Sequence, residues 1–188
     1  MMSEFTKGDF LTSQVSPRRA TEVLIVLTIM VIAMGGMIRI YDAGESCPDW
    51  PTCFGTLGFD ISEEEQGEWW EENPDEADSR GSGHRYTSFQ IFTEWFHRLL
   101  AGALVGPLVI VNWFLVRREI WNSPRVQGVS SLTFALILWQ GAVGWLTVKF
   151  DNENWSVAIH LGSALAFMIS LIWPVSYTHL RAHETFAN

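Results

Sequence analysis

The sequence predicts an all-α integral membrane protein: a four-transmembrane-helix bundle with a long acidic extracytoplasmic loop between the first and second helices. Three observations predict it. Charged residues make up 18% of the 188-residue chain, below the roughly 25% of soluble proteins. Thirteen of the 21 acidic residues fall between Asp42 and Asp78, so charge is segregated instead of spread over a uniform surface. Four segments each hold the about 20 mostly apolar residues that crossing a bilayer requires.

Residues 1–21 are polar, carry Pro17, Arg18 and Arg19, and read as a cytoplasmic N-terminal segment. They are not a signal peptide, because the apolar run that follows is too long and has no small-residue cleavage site. A four-helix membrane domain follows over 22–175. Its spans lie at about 23–40, 95–116, 129–148 and 155–175, with an outer loop over 41–93. Lys7, Arg18 and Arg19 before the first span, and Arg117, Arg118 and Arg125 after the second, place both segments in the cytoplasm. The loop then lies outside a multi-pass plasma-membrane protein. Trp95, Trp155 and Trp173 sit at span ends, where amphipathic rings collect. Gly35 and Gly36, Gly102 and Gly106, and Gly141 and Gly144 are expected to let helices approach closely. Residues 176–188 are polar, follow Trp173-Pro174 abruptly and read as a non-native or truncated tail; His179 and His183 within it receive no role. The 12 Lys and Arg come in ones and twos and assemble no nucleic-acid face. Two Cys exclude a disulfide-dense mini-domain and a four-Cys zinc site.

The outer loop opens with Cys-Pro-Asp-Trp-Pro-Thr-Cys (47–53), stiffened by two prolines. An oxidising exterior favours a disulfide there. A structural staple and a redox-active pair both remain open, although the spacing is not CxxC. Residues 62–83 are acidic and poor in aliphatics, which reads as a flexible, solvated insertion. His84 reads as an exposed loop histidine.

Ionisable groups within membrane spans are costly and by default mark function. The second span opens Glu94-Trp-Phe-His97-Arg98, and His160 lies in the fourth. Both spans run in the same direction, and at 1.5 Å rise per residue the two histidines differ in depth by only a few Å. Two histidines at one level of a bundle can ligate a haem iron from opposite faces. Ala101, Ser163 and Ala164 are small neighbours that leave room for a macrocycle. Glu94, at i−3 from His97, can exchange a proton beside such a group. Arg98 is placed to pair with a haem propionate. The plainer readings are an interfacial Glu94–Arg98 ion pair and histidines that merely bond a carbonyl.

Five ordered motifs resemble the haem A synthase family. They are Gly-Gly-Met-Ile-Arg (35–39), Cys-Pro-Asp-Trp-Pro-Thr-Cys-Phe-Gly (47–55), Glu-Trp-Phe-His-Arg-Leu-Leu-Ala-Gly (94–102), Gln-Gly-Ala-Val-Gly-Trp-Leu-Thr-Val (140–148) and Ala-Ile-His-Leu (158–161). The resemblance implies an oxidoreductase that converts the C8 methyl group of haem O to a formyl group, giving haem A for terminal oxidases. It proceeds by successive hydroxylations with water-derived oxygen, and the resulting gem-diol loses water. The resemblance makes Glu94 the essential carboxylate, and His97 and His160 the axial ligands of haem O or haem b. Cys47 and Cys53 become the outer-loop pair, linked in the family to haem transfer or redox chemistry. Haem O synthase and a terminal oxidase become functional partners. Family members usually have eight spans in two related halves, and this sequence resembles the first; short four-span members pair as homodimers. Two other classes compete. A quinone-coupled disulfide-generating oxidoreductase needs a second Cys pair. A non-catalytic bis-histidine haem-binding or electron-transfer bundle, or an inactive half of a longer synthase, uses the histidines but leaves Glu94 and the Cys loop without a role.

Overall fold

The computed structural model describes residues 16–118 and 123–186, the last stretch, 178–186, in backbone only. Lys7 and the rest of 1–15 lie outside the described residues, as do 119–122 and 187–188. Helix α1 is Pro17–Ile40, α2 is Glu63–Glu72, α3 is Ser88–Arg118, α4 is Pro124–Lys149 and α5 is Asn154–Phe186. Four of them (α1, α3, α4 and α5 as far as Tyr177) are long and apolar enough to cross a membrane. They pack as a ring in the order α1, α3, α4, α5 and back to α1.

The bundle presents its apolar side outward, as a lipid-facing helix must. Val26, Leu138 and Ile169 are exposed, while Thr21, Thr28, Ser130, Thr133 and Ser170 are buried. Without water, interior hydroxyls must find partners inside. Thr21 and Thr28 donate to the carbonyls one turn back, of Pro17 and Leu24, at 2.8 and 2.7 Å. Thr133 donates to Ser170 across α4 and α5 at 2.9 Å. Leu24, Val105, Val109, Phe167 and Leu171 fill the space between these groups.

Helix boundaries extend the expected spans. Ser16 caps α1, its hydroxyl accepting from the Arg19 amide at 3.3 Å, so Pro17 to Thr21 belong to the bundle and not to a polar leader. A capping box of Thr87 and Gln90 starts α3 at Ser88, so the link between membrane helices ends at Thr87. Helix α5 does not stop at Trp173-Pro174 but continues to Phe186. Helix α3 also contains a π-helical segment, Leu99–Val105, in which the Gly106 amide bonds the Ala101 carbonyl five residues back. The buried positions step from Leu100 to Val105, where a regular helix would bury residue 104; Leu104 is instead exposed. Gly102 has no neighbour that a Cβ would meet, and Gly106 meets only the Ala101 carbonyl. The expected close helix approach at this pair is therefore absent, because the widened turn rotates it out of the interface.

The acidic stretch is not a solvated insertion: it folds. Ser62 and Glu65 form a capping box that starts α2, and the bonds from Ser62 hold the exposed Glu65 carboxyl below its usual range. Gln66 and Trp70, one turn apart, face inward, whereas the five carboxylates at 63, 64, 68, 71 and 72 lie on other faces. The Gln66 amide bonds both the Tyr86 carbonyl (3.0 Å) and the Tyr86 N–H (2.8 Å). Trp70, Tyr86, Phe54, Ile61, Ile91 and the two cysteines form a separate loop core. His84 is half-buried and stacks edge-on against Tyr86 at 4.7 Å. Trp95 is tied to this domain as well, its indole N–H donating to the Leu57 carbonyl at 2.7 Å.

Buried Glu45 braces the loop against Ser79 (3.0 Å) and Arg80 (3.7 Å). Burial raises its carboxyl above the ordinary value, against the bonds from Ser79 and Arg80. A raised carboxyl penalises the folded state once ionised, and the penalty is relieved as pH falls through the folded pKa. Glu45→Gln should therefore raise the thermal midpoint at pH 7 and flatten its fall with rising pH. Tryptophan fluorescence melts across pH check this; a lowered midpoint at pH 7 would mean that the Ser79 and Arg80 contacts outweigh burial.

Candidate functional site

Among the described residues, Glu94 is the most enclosed carboxylate of the membrane helices, 4% exposed. It lies on α3 one turn beyond Ile91, on the stripe that faces α1 and the loop. Oε2 accepts from the Cys47 amide at 2.9 Å and from the Ser46 hydroxyl at 3.0 Å. Oε1 accepts from Arg98 at 2.6 Å. A buried carboxylate is tolerable only when partnered in this way.

Cys47 and Cys53 form a disulfide, and both are buried, at 0% and 1% exposure. The ring they close faces Arg98. The guanidinium donates to the carbonyls of Cys47 (2.7 Å), Asp49 (2.5 Å) and Thr52 (3.2 Å) besides holding Glu94. All three carbonyls belong to the disulfide ring. Arg98, expected from sequence to meet a propionate, thus has most of its five N–H donors taken up by the ring and Glu94.

His97 lies half-buried on the adjoining face. Its Nδ1 bonds the Val31 carbonyl of α1 at 3.1 Å. A carbonyl only accepts, so Nδ1 carries the proton and the neutral ring keeps its Nε2 lone pair free. The His160 Nδ1 is buried with no hydrogen-bond partner among the described residues. Each ring is seated on a glycine of a neighbouring helix. A Cβ at Gly35 would stand 3.5 Å from His97 Cε1; a Cβ at Gly144 would stand 3.3 Å from His160 Cε1. Gly36 and Gly141 have no such neighbour. Of the small residues singled out by sequence, the two that matter cradle imidazoles.

Among the described residues no group of three or more His, Cys, Asp or Glu can hold a bare metal ion. Two imidazoles with available ring nitrogens suit an iron whose remaining ligands come from a macrocycle. The free Nε2 of His97, the unpartnered Nδ1 of His160 and the two glycine seats therefore fit a haem.

The Gly144 contact is tighter than ordinary packing, and the empty space at Gly141 is its control. Gly144→Ala should displace His160 and weaken haem retention several-fold. Gly141→Ala should leave retention unchanged and stabilise the helix by up to about 1 kcal/mol. Haem-to-protein ratios and melts of the two purified variants check this; equal retention would deny that Gly144 seats the ring.

A family model described as cytochrome oxidase assembly protein (COX15-CtaA) matches residues 18–187. The chain belongs to that family. Curated relatives of this cytochrome oxidase assembly family agree. Haem A synthase of Shewanella oneidensis is 32% identical over 153 residues, covering 80% of this chain and 43% of that protein. Haem A synthase of Caulobacter vibrioides is 34% identical over 177 residues, covering 80% and 47%. A haem A synthase–mitochondrial ferredoxin fusion protein of Schizosaccharomyces pombe is 25% identical over 167 residues, covering 78% and 26%. The chain spans about half the length, or less, of the curated relatives it matches. No solved structure matches.

Sequence reasoning points to Glu94, Arg98, His97, His160 and the cysteines, but it misses Ser46 and the Val31 carbonyl. Ser46 carries a usable signal, since it directly precedes the Cys loop. A backbone carbonyl carries none.

Proposed function

We propose that the chain is a haem A synthase-type half-bundle that acts in haem A biosynthesis, oxidising the C8 methyl group of haem O to a formyl group. The observation that carries the reading is the pair of glycine-seated histidines with available ring nitrogens, with a buried carboxylate one turn from His97. His97 and His160 would hold the haem iron, His97 through Nε2 while its Nδ1 stays bonded to Val31. Bound haem O supplies the methyl group, whose conversion to formyl is a four-electron oxidation taking oxygen from water and passing electrons to an acceptor outside this chain. Glu94 holds or moves a proton at Oε1 or Oε2. Ser46 and the Cys47 amide fix Oε2, and Arg98 fixes Oε1, so the carboxyl cannot swing away. The disulfide ring acts through Arg98, as a clamp on the carboxylate. The same reading places the chain in the plasma membrane, with the loop and the site on the extracytoplasmic side and the N-terminus in the cytoplasm. The reading includes pairing of two copies as a homodimer, with haem O synthase and a terminal oxidase before and after it.

Co-expression with a haem O synthase in a host lacking haem A tests the reading, with extracted haem identified by mass. Haem A or its hydroxymethyl precursor supports it. Haem O or haem b retained without oxidised product would leave a bis-histidine haem-binding bundle. No haem on folded protein would remove the ligand assignment.

A further inference from the structure

Arg39 ends α1 on the loop side of the bundle. The inward stripe of α1 runs through Leu24 and Thr28, which are buried, to Val31, whose carbonyl bonds His97, and to Gly35, on which His97 rests. Arg39 is the next position on that stripe, one turn beyond Gly35. At 1.5 Å per residue its Cα lies about 6 Å from Gly35 toward the loop. Its guanidinium bonds the side-chain oxygen of Asn154, the first residue of α5 and about 9 Å along that helix from His160. Arg39 and Asn154 thus bridge the two helices just outside the level of the histidines.

The other cations at this end have partners that complete them. Arg80 meets Asp42 at 3.0 Å and Glu45 at 3.7 Å. Lys149 meets Glu76 at 3.0 Å. Arg85 donates to the carbonyls of Glu63, Ser82 and His84. Arg98 is enclosed by Glu94 and the disulfide ring. Arg39 has no carboxylate within ion-pair distance among the described residues, and its described partner is a neutral amide. Arg39 is exposed, and a permanently charged fork at a membrane boundary, one turn beyond the glycine that seats His97, is suited to a carboxylate brought by a ligand.

We propose that Arg39, assisted by Asn154, forms a carboxylate subsite that receives a propionate of the haem held between His97 and His160. This rests on the ligand assignment made above. It moves the propionate contact from Arg98 to Arg39 and gives the two arginines different roles. Arg98 holds Glu94, while Arg39 holds the ligand's acidic edge.

The full chain, purified in detergent without haem, is titrated with protohaem and with protohaem dimethyl ester, whose propionates carry no charge. Binding is read from the absorption spectrum. Arg39→Gln should weaken protohaem at least about tenfold, the effect of losing hydrogen bonds to a charged group, and leave the diester unchanged. Arg39→Lys should recover part of the loss. Diester binding at the unchanged level shows that the variant is folded. Equal protohaem affinity in Arg39→Gln and the unchanged chain would overturn the subsite alone. Equal losses for protohaem and diester would also overturn it, since charge would then play no part. If the unchanged chain bound neither porphyrin, the histidine ligation would fall and the subsite with it.

Discussion

Replacing Glu94 with glutamine should abolish haem A formation while haem O or haem b is still recovered on the protein. A positioned proton-transfer group contributes about 10²–10⁴-fold, so product should fall at least about 100-fold. Glutamine is the cleaner variant. It keeps a side chain between the Cys47 amide, Ser46 and Arg98. Glu94→Ala should show the same loss of product with haem still bound, but it leaves the Arg98 guanidinium without its carboxylate, a disruption of about 3–5 kcal/mol for a buried pair. Glutamine also removes the charge and leaves only one acceptor oxygen where the carboxylate has two. Both variants should therefore be destabilised, Glu94→Gln less than Glu94→Ala, and both inactive; thermal melts rank them. Product at the unchanged level from folded Glu94→Gln would remove the proton-transfer role, and loss of haem together with product would make Glu94 a packing residue.

Changing Cys47 and Cys53 together to serine should lower both stability and product. The disulfide closes a ring over a separation of six residues, for which chain entropy gives about 2 kcal/mol. Product should fall further than that loss alone explains. The three carbonyls that hold Arg98 lie within the ring, and Arg98 in turn holds Glu94. Arg98→Lys should reproduce the loss of product, because one ammonium cannot bond four acceptors spread around a planar fork. Both sulfurs are buried, so thiol exchange needs the loop to open. In the folded protein the pair should resist a membrane-impermeant reductant and yield to it only after denaturation. Rapid reduction of the native protein, with activity following the thiol state, would instead make the pair redox-active.

What can be read from the sequence, and what cannot, divides by the kind of signal. The four spans are legible because a bilayer demands a run of apolar residues whatever their packing. Glu94, His97 and His160 stand out because ionisable groups within such runs are rare. The loop is misjudged because composition averaged over 62–83 hides phase. Ser62 and Glu65 spell a capping box, and Gln66 and Trp70 fall one turn apart among carboxylates that face elsewhere. Sequence points Arg98 to a propionate and does not reveal the main-chain carbonyls of 47, 49 and 52 that it bonds besides Glu94, because any residue supplies a carbonyl. The π segment at Leu99–Val105 leaves no trace in the run Leu-Leu-Ala-Gly-Ala-Leu-Val, which suits a regular helix equally well.

That widened turn makes α3 two helices in one, out of step by a residue. Above it Ile91 and Glu94 are set against the loop; below it Val109, Asn112 and Val116 mesh with the bundle. One residue of insertion amounts to a rotation of roughly 100°. The turn therefore works as a clutch between the chemical end of α3 and its anchoring end. Excising a single residue from it would keep the helix unbroken yet leave one end facing the wrong way. Length, which a surface loop tolerates freely, is at this one point of a membrane helix as specific as the identity of a catalytic side chain.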